Sequence, residues 1–528
     1  MVKTLKFIYV LTAIVLVSAC AQVVAPTGGE RDTTPPEVLS LVPKNQSLNF
    51  SSTSFALEFD EYVVLRNLKE QLLVSPPLKY SLENKVKGKS LIFTIKDTLK
   101  ENTTYVFNFG NSIVDLNEGN PLSNFQYVFS TGPVIDSLSI SGKVVDAFEL
   151  TAEKEAVLLL YPSNSEDSAV SKTLPSYVSR ANEDGDFKLT NLTCSEYKLF
   201  ALVDKNDNYL YDRADEKFGF LSTTITPEAD TGEIKLFTFA LPDEKQFIEK
   251  QEVFPNSLEL TFKLAPQKIE FNLLDTVINN FVQQIEYEEN KVKIWYKKTA
   301  ATKLSASING ANFSDTIKFT TAVLNDSAKL ELKEELKSVQ NYFEPISLLF
   351  NRPLSEINKG SIRLFDSDSN SMVFSIVLDP SNVKNALLKV NDISEGAVTL
   401  RILPNAFEDI YGMTNDSVTA LFSFNTAEDF GNLFVRVKEM ELQNLIIQLT
   451  DAKGLVLEEY FSKDTLYTFK NLNAANYGLK LISDDNKNQQ WDTGDYYKGQ
   501  QPESVIIYDE VIDIRQNWDK EIIWIIKP

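Results

Sequence analysis

From Leu39 onward the chain alternates apolar and polar residues in short runs cut by turn-forming residues. Examples are SFALEFDEYVVL at 54–65, SLIFTIKD at 90–97, TYVFNFGN at 104–111, FQYVFST at 125–131, LELTFKL at 258–264, KVKIWYKK at 291–298, AVTLRILP at 397–404 and LFVRVKEM at 433–440. Successive side chains of a strand point to opposite faces, so a period of two with one apolar set predicts strands half-buried against a partner sheet. Many such runs in series predict an all-β chain of antiparallel sandwiches or barrels. Helical periodicity is nearly absent, and its best candidate is SAKLELKEELKSV at 327–339.

Two internal repeats divide the series. SFALEFDEYVVL at 54–65 matches PISLLFNRPLSE at 345–356 in pattern. Each is followed by an Asp-centred turn and a closing strand, in NSIVDLNEGNPLSNFQYVFST at 111–131 and PNAFEDIYGMTNDSVTALFSFNT at 404–426. These blocks resemble the bacterial Ig-like domain of surface-layer proteins and of Bacteroidetes-type outer-membrane lipoproteins. The second repeat runs at a constant offset of 280, setting Asp184, Phe187, Asn191, Leu192, Tyr197, Asp204 and Gly219 on Asp464, Tyr467, Asn471, Leu472, Tyr477, Asp484 and Gly499. Its pattern resembles the transthyretin-like or carboxypeptidase-regulatory β-sandwich, which implies a binding or stability module without catalytic residues. The expected order is a signal peptide at 1–19, a lipidated tether at 20–34 and an Ig-like domain at 35–133. A transthyretin-like sandwich at 136–235, a sandwich of unnamed type at 236–337, an Ig-like domain at 338–428 and a transthyretin-like sandwich at 430–528 follow. In series they predict tandem sandwiches forming an elongated rod.

The second repeat contains DKNDNYLYDRADEKFG at 204–219, answered by DDNKNQQWDTGDYYKG at 484–499. Asp204, Asn206, Asn208, Asp212 and Asp215 fall at positions 1, 3, 5, 9 and 12 of a calcium-loop count, and Asp484, Asn486, Asn488, Asp492 and Asp495 repeat it. Hard cations take such oxygen donors from a tight loop. Two features oppose a calcium site: the sixth position is Tyr209 or Gln489 where the helix-loop-helix motif needs Gly, and Asx turns use the same residues to bond their own backbone. In the second copy Glu216 is replaced by Tyr496, which weakens that site. Tyr209, Tyr211, Trp491, Tyr496 and Tyr497 are candidates for stacking on a sugar ring or, alternatively, for plugging sandwich ends.

The N-terminus adds location. Lys3 and Lys6 precede an apolar run from Phe7 to Val17 that is short for a membrane span, and small residues lead to Cys20. Val17, Ser18, Ala19 and Cys20 resemble the bacterial lipobox, which implies cleavage before Cys20 and a covalent lipid on it. A Gly-, Pro- and Thr-rich tether follows. Losing Lys3 and Lys6 leaves 50 basic against 74 acidic residues, a net charge of −24. No basic run is present, so nucleic acid is excluded as an expected partner. Cys194 alone remains after Cys20; it allows no intrachain disulfide and reads as a small buried residue. The chain has no histidine, which removes the usual acid–base and metal-ligand chemistry but leaves carboxylate-only hydrolysis. The expectation is therefore a non-enzymatic outer-membrane lipoprotein, surface-exposed rather than periplasmic. It would need no cofactor beyond a possible Ca2+ and would act as a scaffold on an outer-membrane β-barrel protein and other lipoproteins, in barrel assembly or surface-protein export. The alternatives are a glycan-binding lipoprotein of a nutrient-uptake system and a carboxylate-dependent glycan hydrolase.

Overall fold

A computed structural model describes residues 32–526 except 155, 228–233, 242–244, 275–280, 298–299, 311–312, 323–328, 394, 439–443 and 463–464. Cys20 and Asp464 lie outside the described residues. The chain is all-β, a tandem series of β-sandwiches, and its one described α-helix is the single turn Leu68–Gln71. No described helix is long and apolar enough to cross a membrane. Residues 329–339 are not helical; Leu330 and Leu332 instead make isolated bridges to Asn415 and Phe350. Leu330 and Leu332 stand at strand spacing while Leu332, Leu336 and Val339 stand at helical spacing, and pairing with neighbouring strands decides between the two. The chain divides into two compact units, Met1–Leu241 with Thr493–Pro502, and Pro242–Asp492 with Glu503–Pro528.

In the first unit, strand Ser54–Phe59 shows how the pattern becomes a core. Phe55, Leu57 and Phe59 are buried to within 1% of full burial, while Ala56 and Glu58 face outward. The strand lies in a four-stranded sheet, ordered Val38–Val42, Ser54–Phe59, Ser90–Thr94, Glu83–Lys87. Opposite it stand Leu73–Ser75, Thr104–Asn108 and Gln126–Ser130. Phe55, Phe93, Phe107, Phe109, Tyr127 and Phe129 fill the space between, with Phe55 and Tyr127 stacked at 4.4 Å. Each buried ring contributes on the order of 2–3 kcal/mol by leaving water. The predicted Asp-centred turn closes a ribbon of Val63–Leu65 with Ile113–Asp115. There the buried Asp115 accepts the backbone N–H groups of Glu118, Gly119 and Asn120 at 2.6, 3.0 and 2.7 Å.

The next sheet has seven strands, ordered Tyr177–Arg180, Val157–Pro162, Tyr197–Leu202, Lys217–Phe220, Ile234–Ala240, Leu138–Asp146, Asp186–Leu192. Leu138–Asp146 and Ile234–Ala240 run parallel in this otherwise antiparallel sheet. Asn191 has φ 57° where the register of Leu138–Asp146 against Asp186–Leu192 shifts by a bulge. Asparagine tolerates that left-handed conformation better than most residues, which gives the repeated Asn-Leu pair a backbone reason. Cys194 is exposed, contrary to the expectation from alternation. The strand ends at Leu192, and Cys194 sits in the turn beyond it, where alternation no longer sets the face. The segment Thr493–Pro502 belongs to this unit: Tyr496 is 9% exposed, with its ring 5.2–5.3 Å from those of Phe200, Phe218 and Phe220.

The second unit holds three sets of strands. The first pairs a sheet of Ile248–Phe254, Ser257–Phe262, Lys291–Tyr296 and Val282–Glu288 with one of Glu270–Leu273, Lys303–Gly310 and Phe313–Thr320. The second repeats the ribbon of the first unit, now Leu354–Ile357 with Phe407–Asp409. Lys384 and Glu286, both nearly buried, tie these two sets together at 2.6 Å, and the Tyr411 hydroxyl donates to the carbonyls of Asn256 and Tyr296. The third set repeats the parallel pair, Gly431–Lys438 with Asp519–Ile525. It also repeats the bulge, with Asn471 at φ 55°.

Candidate functional site

The first acidic loop leaves strand Tyr197–Leu202 and returns into strand Lys217–Phe220. Asp204 accepts the backbone N–H of Asn206 at 3.1 Å on one oxygen and that of Tyr209 at 2.8 Å on the other. Asp212 takes the side-chain amides of Asn206 and Asn208 at 3.1 and 2.8 Å, one on each oxygen. Tyr209, at the position where a calcium loop would want glycine, has φ 61°, and Asp207 has φ 58°. A left-handed residue with a side chain costs about 1–2 kcal/mol, and the two bonds to Asp204 offset that strain. Asp215 does not join the cluster: it makes a bidentate ion pair with Arg213 at 2.8 and 3.0 Å.

Beneath the loop lies Glu216, with no exposed surface. It accepts from Lys205 N on Oε1 and from Asp212 N and Arg213 N on Oε2. Burial pushes its carboxyl above the usual carboxylate range, with these three amides pulling the other way. It therefore pins both ends of the loop.

The second loop repeats the design in the other unit. Asp484 accepts from Asn488 N and Gln489 N, and Asp492 takes the amides of Asn486 and Asn488. Gln489 has φ 65° and Lys487 φ 66°. Sequence offset places Tyr496 opposite Glu216 and suggests that the buried glutamate is lost. The structure corrects this: Glu503 accepts from Asp485 N at 2.8 Å and Asp492 N at 3.0 Å, the counterparts of Lys205 and Asp212. Burial likewise pushes its carboxyl up. Ala201 pairs with Gly219 and Leu481 with Ile506, so the offset is 280 up to Asp492 and 287 beyond it. Asp495 and Gly499 are thus not the counterparts of Asp215 and Gly219, and Asp495 pairs with Lys498 at 2.9 Å. An acid standing seven residues late in an otherwise gapless repeat is the signal that could have found Glu503.

Four of the five expected donors in the first loop, and four in the second, therefore come together, while Asp215 and Asp495 turn to cations. Among the described residues no group of three or more His, Cys, Asp or Glu side chains is placed to hold a metal ion. A cation at the first loop would need the Asn206 and Asn208 amides turned to present oxygen toward Asp212, at the cost of the Leu210 N to Asn208 bond of 2.7 Å. The loop is satisfied without a metal, so calcium is expected to bind weakly. At ten times its Kd it should stabilise the first loop's sandwich by about 1.4 kcal/mol. Calorimetric scans of the full chain with and without calcium check this; a far larger rise that vanishes in Asp212→Asn would make the ion a structural part.

Beside the first loop, within the same unit, is a cavity of about 500 Å3 bounded by Leu72, Val74, Tyr80, Arg180, Asp207 and Tyr209. Arg180 also donates to Glu70 O at 2.6 Å. Asp207 is the only acid in its described lining, which leaves no carboxylate pair of the kind glycoside hydrolysis uses. Of the aromatic candidates, Tyr211 and Tyr496 are buried in the core and Trp491 donates to Glu503 O. Tyr209 lines the cavity half-buried, and Tyr497 is exposed.

Comparison with known families matches residues 32–131 to the family described as bacterial Ig-like domain. The match covers 100 of the 528 residues. No curated protein matches the chain. Among solved structures the chain is similar to the surface-layer protein rSbsC(31-844), at 12% identity over 91% of this chain and 67% of that one, with a TM-score of 0.15. The Bacillus anthracis TIE protein follows at 10% identity over 95% and 76%, TM-score 0.15. A variant of BcpA, the major pilin subunit of Bacillus cereus, stands at 11% over 74% and 99%, TM-score 0.14. The Ig-like domain contributes the Leu72, Val74 and Tyr80 wall of the cavity.

Proposed function

We propose that the protein is a lipid-anchored, surface-exposed scaffold of a bacterial outer membrane, working through protein contacts and without chemistry of its own. The observation that carries the reading is a bacterial Ig-like domain at 32–131 placed directly after Val17-Ser18-Ala19-Cys20 and its tether. Ig-like sandwiches present edges and loops to partners, and an acylated cysteine would hold them at a membrane. The acidic loops support the reading, because their carboxylates are spent within the loops, on backbone amides, asparagine side chains and neighbouring cations, and shape the sandwich ends. The partner we favour is an outer-membrane β-barrel protein, with barrel assembly or surface-protein export as the task. Depleting the protein is then expected to lower the levels of several unrelated barrel proteins in outer-membrane fractions. An unchanged barrel profile, with impaired growth on a glycan as sole carbon source, would move the glycan-binding alternative ahead.

A further inference from the structure

Among the described residues, strand Val456–Ser462 is the outermost strand of its sheet, paired on one side only with Leu445–Asp451. Unpaired peptide groups on such an edge invite another chain, and proteins usually blunt them with proline, lysine or a cover. This edge, VLEEYFS, has neither proline nor lysine. Leu455 is 66% exposed, and Val456, Leu457, Tyr460 and Phe461 are 40–48% exposed, which places apolar surface on both faces of the strand.

The repeat provides a control inside the same chain. Tyr177–Arg180 holds the same place, outermost beside Val157–Pro162, which pairs on its far side with Tyr197–Leu202 as Leu445–Asp451 pairs with Ala475–Ser483. There the edge is covered. Val178 N donates to Ser75 Oγ of strand Leu73–Ser75 at 3.1 Å, and Tyr177 and Val178 are buried. The first copy thus has a strand of the Ig-like domain over this edge, and the second copy leaves a longer and more apolar edge open.

We propose that Val456–Ser462 is a strand-addition site that takes an extended segment of a partner protein in which apolar residues alternate with lysine or arginine. Glu458 and Glu459 lie at the middle of the strand, one on each face. Opposite charges across a strand pair attract and like charges repel. Two copies of this edge paired antiparallel would set glutamates against glutamates, so the charge pattern selects against a second copy and for a basic partner. The net charge of −22 over the full sequence adds long-range attraction for such a segment. The proposal rests on the protein-scaffold reading only in taking the partner to be a protein, and its test uses purified components, so it fails separately from the depletion experiment.

The test is titration of the full chain in detergent with a blocked nonapeptide of sequence KVTVKVTVK, read by fluorescence anisotropy and by hydrogen exchange across 456–462. The expected result is saturable binding with slowed exchange in that strand, and loss of binding when alternate peptide nitrogens are methylated. Glu458→Lys should weaken the lysine peptide up to about fivefold and strengthen one carrying glutamate in its place, since a cross-strand charge pair is worth up to ~1 kcal/mol. An unchanged thermal melt shows that the variant is folded. No binding at millimolar peptide, equal binding of the methylated peptide, or self-association that Leu457→Ser abolishes would each overturn the proposal.

Discussion

Asp409→Ala is expected to destabilise the strands around the ribbon of Leu354–Ile357 and Phe407–Asp409 by about 3–5 kcal/mol. Asp409 Oδ1 accepts from Tyr411 N and Met413 N, both at 2.9 Å, and so shapes the turn that closes the ribbon. Its other oxygen lies 3.0 Å from Arg352 Nη1, and the two side chains are 6% and 0% exposed. That contact lacks the geometry of a hydrogen bond, and neither guanidinium nitrogen at that end has a described hydrogen-bond partner. The pair is therefore held by charge. Alanine would leave a buried guanidinium uncompensated and two turn amides without acceptor, and both penalties act in the folded state only. Asp409→Asn separates them, because it can keep the turn bonds while removing the charge. Its cost should fall between wild type and alanine. Native-state hydrogen exchange of strands Leu354–Ile357 and Phe407–Asp409 reads the change locally, without assuming that the whole chain unfolds in one step. A cost below about 1 kcal/mol for alanine would show that the pair is dispensable.

The second large effect concerns attachment. Cys20→Ser is expected to abolish labelled palmitate incorporation, to leave an unprocessed precursor, and to remove acyl-dependent retention in the membrane fraction. The serine hydroxyl resembles the thiol in size but is a far poorer nucleophile at neutral pH, so the substitution removes the acyl acceptor with little steric change. Mature Cys20→Ser protein still held in membranes through acyl chains would contradict the anchor.

The sandwich cores were legible in the sequence because burial there follows the period of a strand: Phe55, Leu57 and Phe59 alternate inward in fact as in pattern. The Asp-centred turns were legible too, since Asp115 and Asp409 use a side chain that accepts several amides at short range. The acidic loops were legible as loops. What they do with their carboxylates was not, because whether Asp204 faces a cation or the amide of Tyr209 depends on a left-handed turn that neither tyrosine nor glutamine announces. Glu503 was hidden by the seven-residue insertion before it. Alternation does not set the face of Cys194, which lies past the end of its strand at Leu192. The open edge at Val456–Ser462 could not be read at all. Its sequence, VLEEYFS, sets apolar pairs on either side of two glutamates, and whether its peptide edge is covered is a property of neighbours distant in sequence.

If the protein works by holding other envelope proteins, they should leave the membrane with it. The most direct measurement is purification of the tagged, lipidated chain from detergent-solubilised membranes, followed by native mass determination and mass spectrometry of what accompanies it. The expected result is a stoichiometric assembly containing a β-barrel protein, heavier than the processed chain, which itself falls below the 59.6 kDa of the full sequence, by at least that partner. A chain that elutes alone at its own mass, with no protein retained in stoichiometric amount, would contradict it.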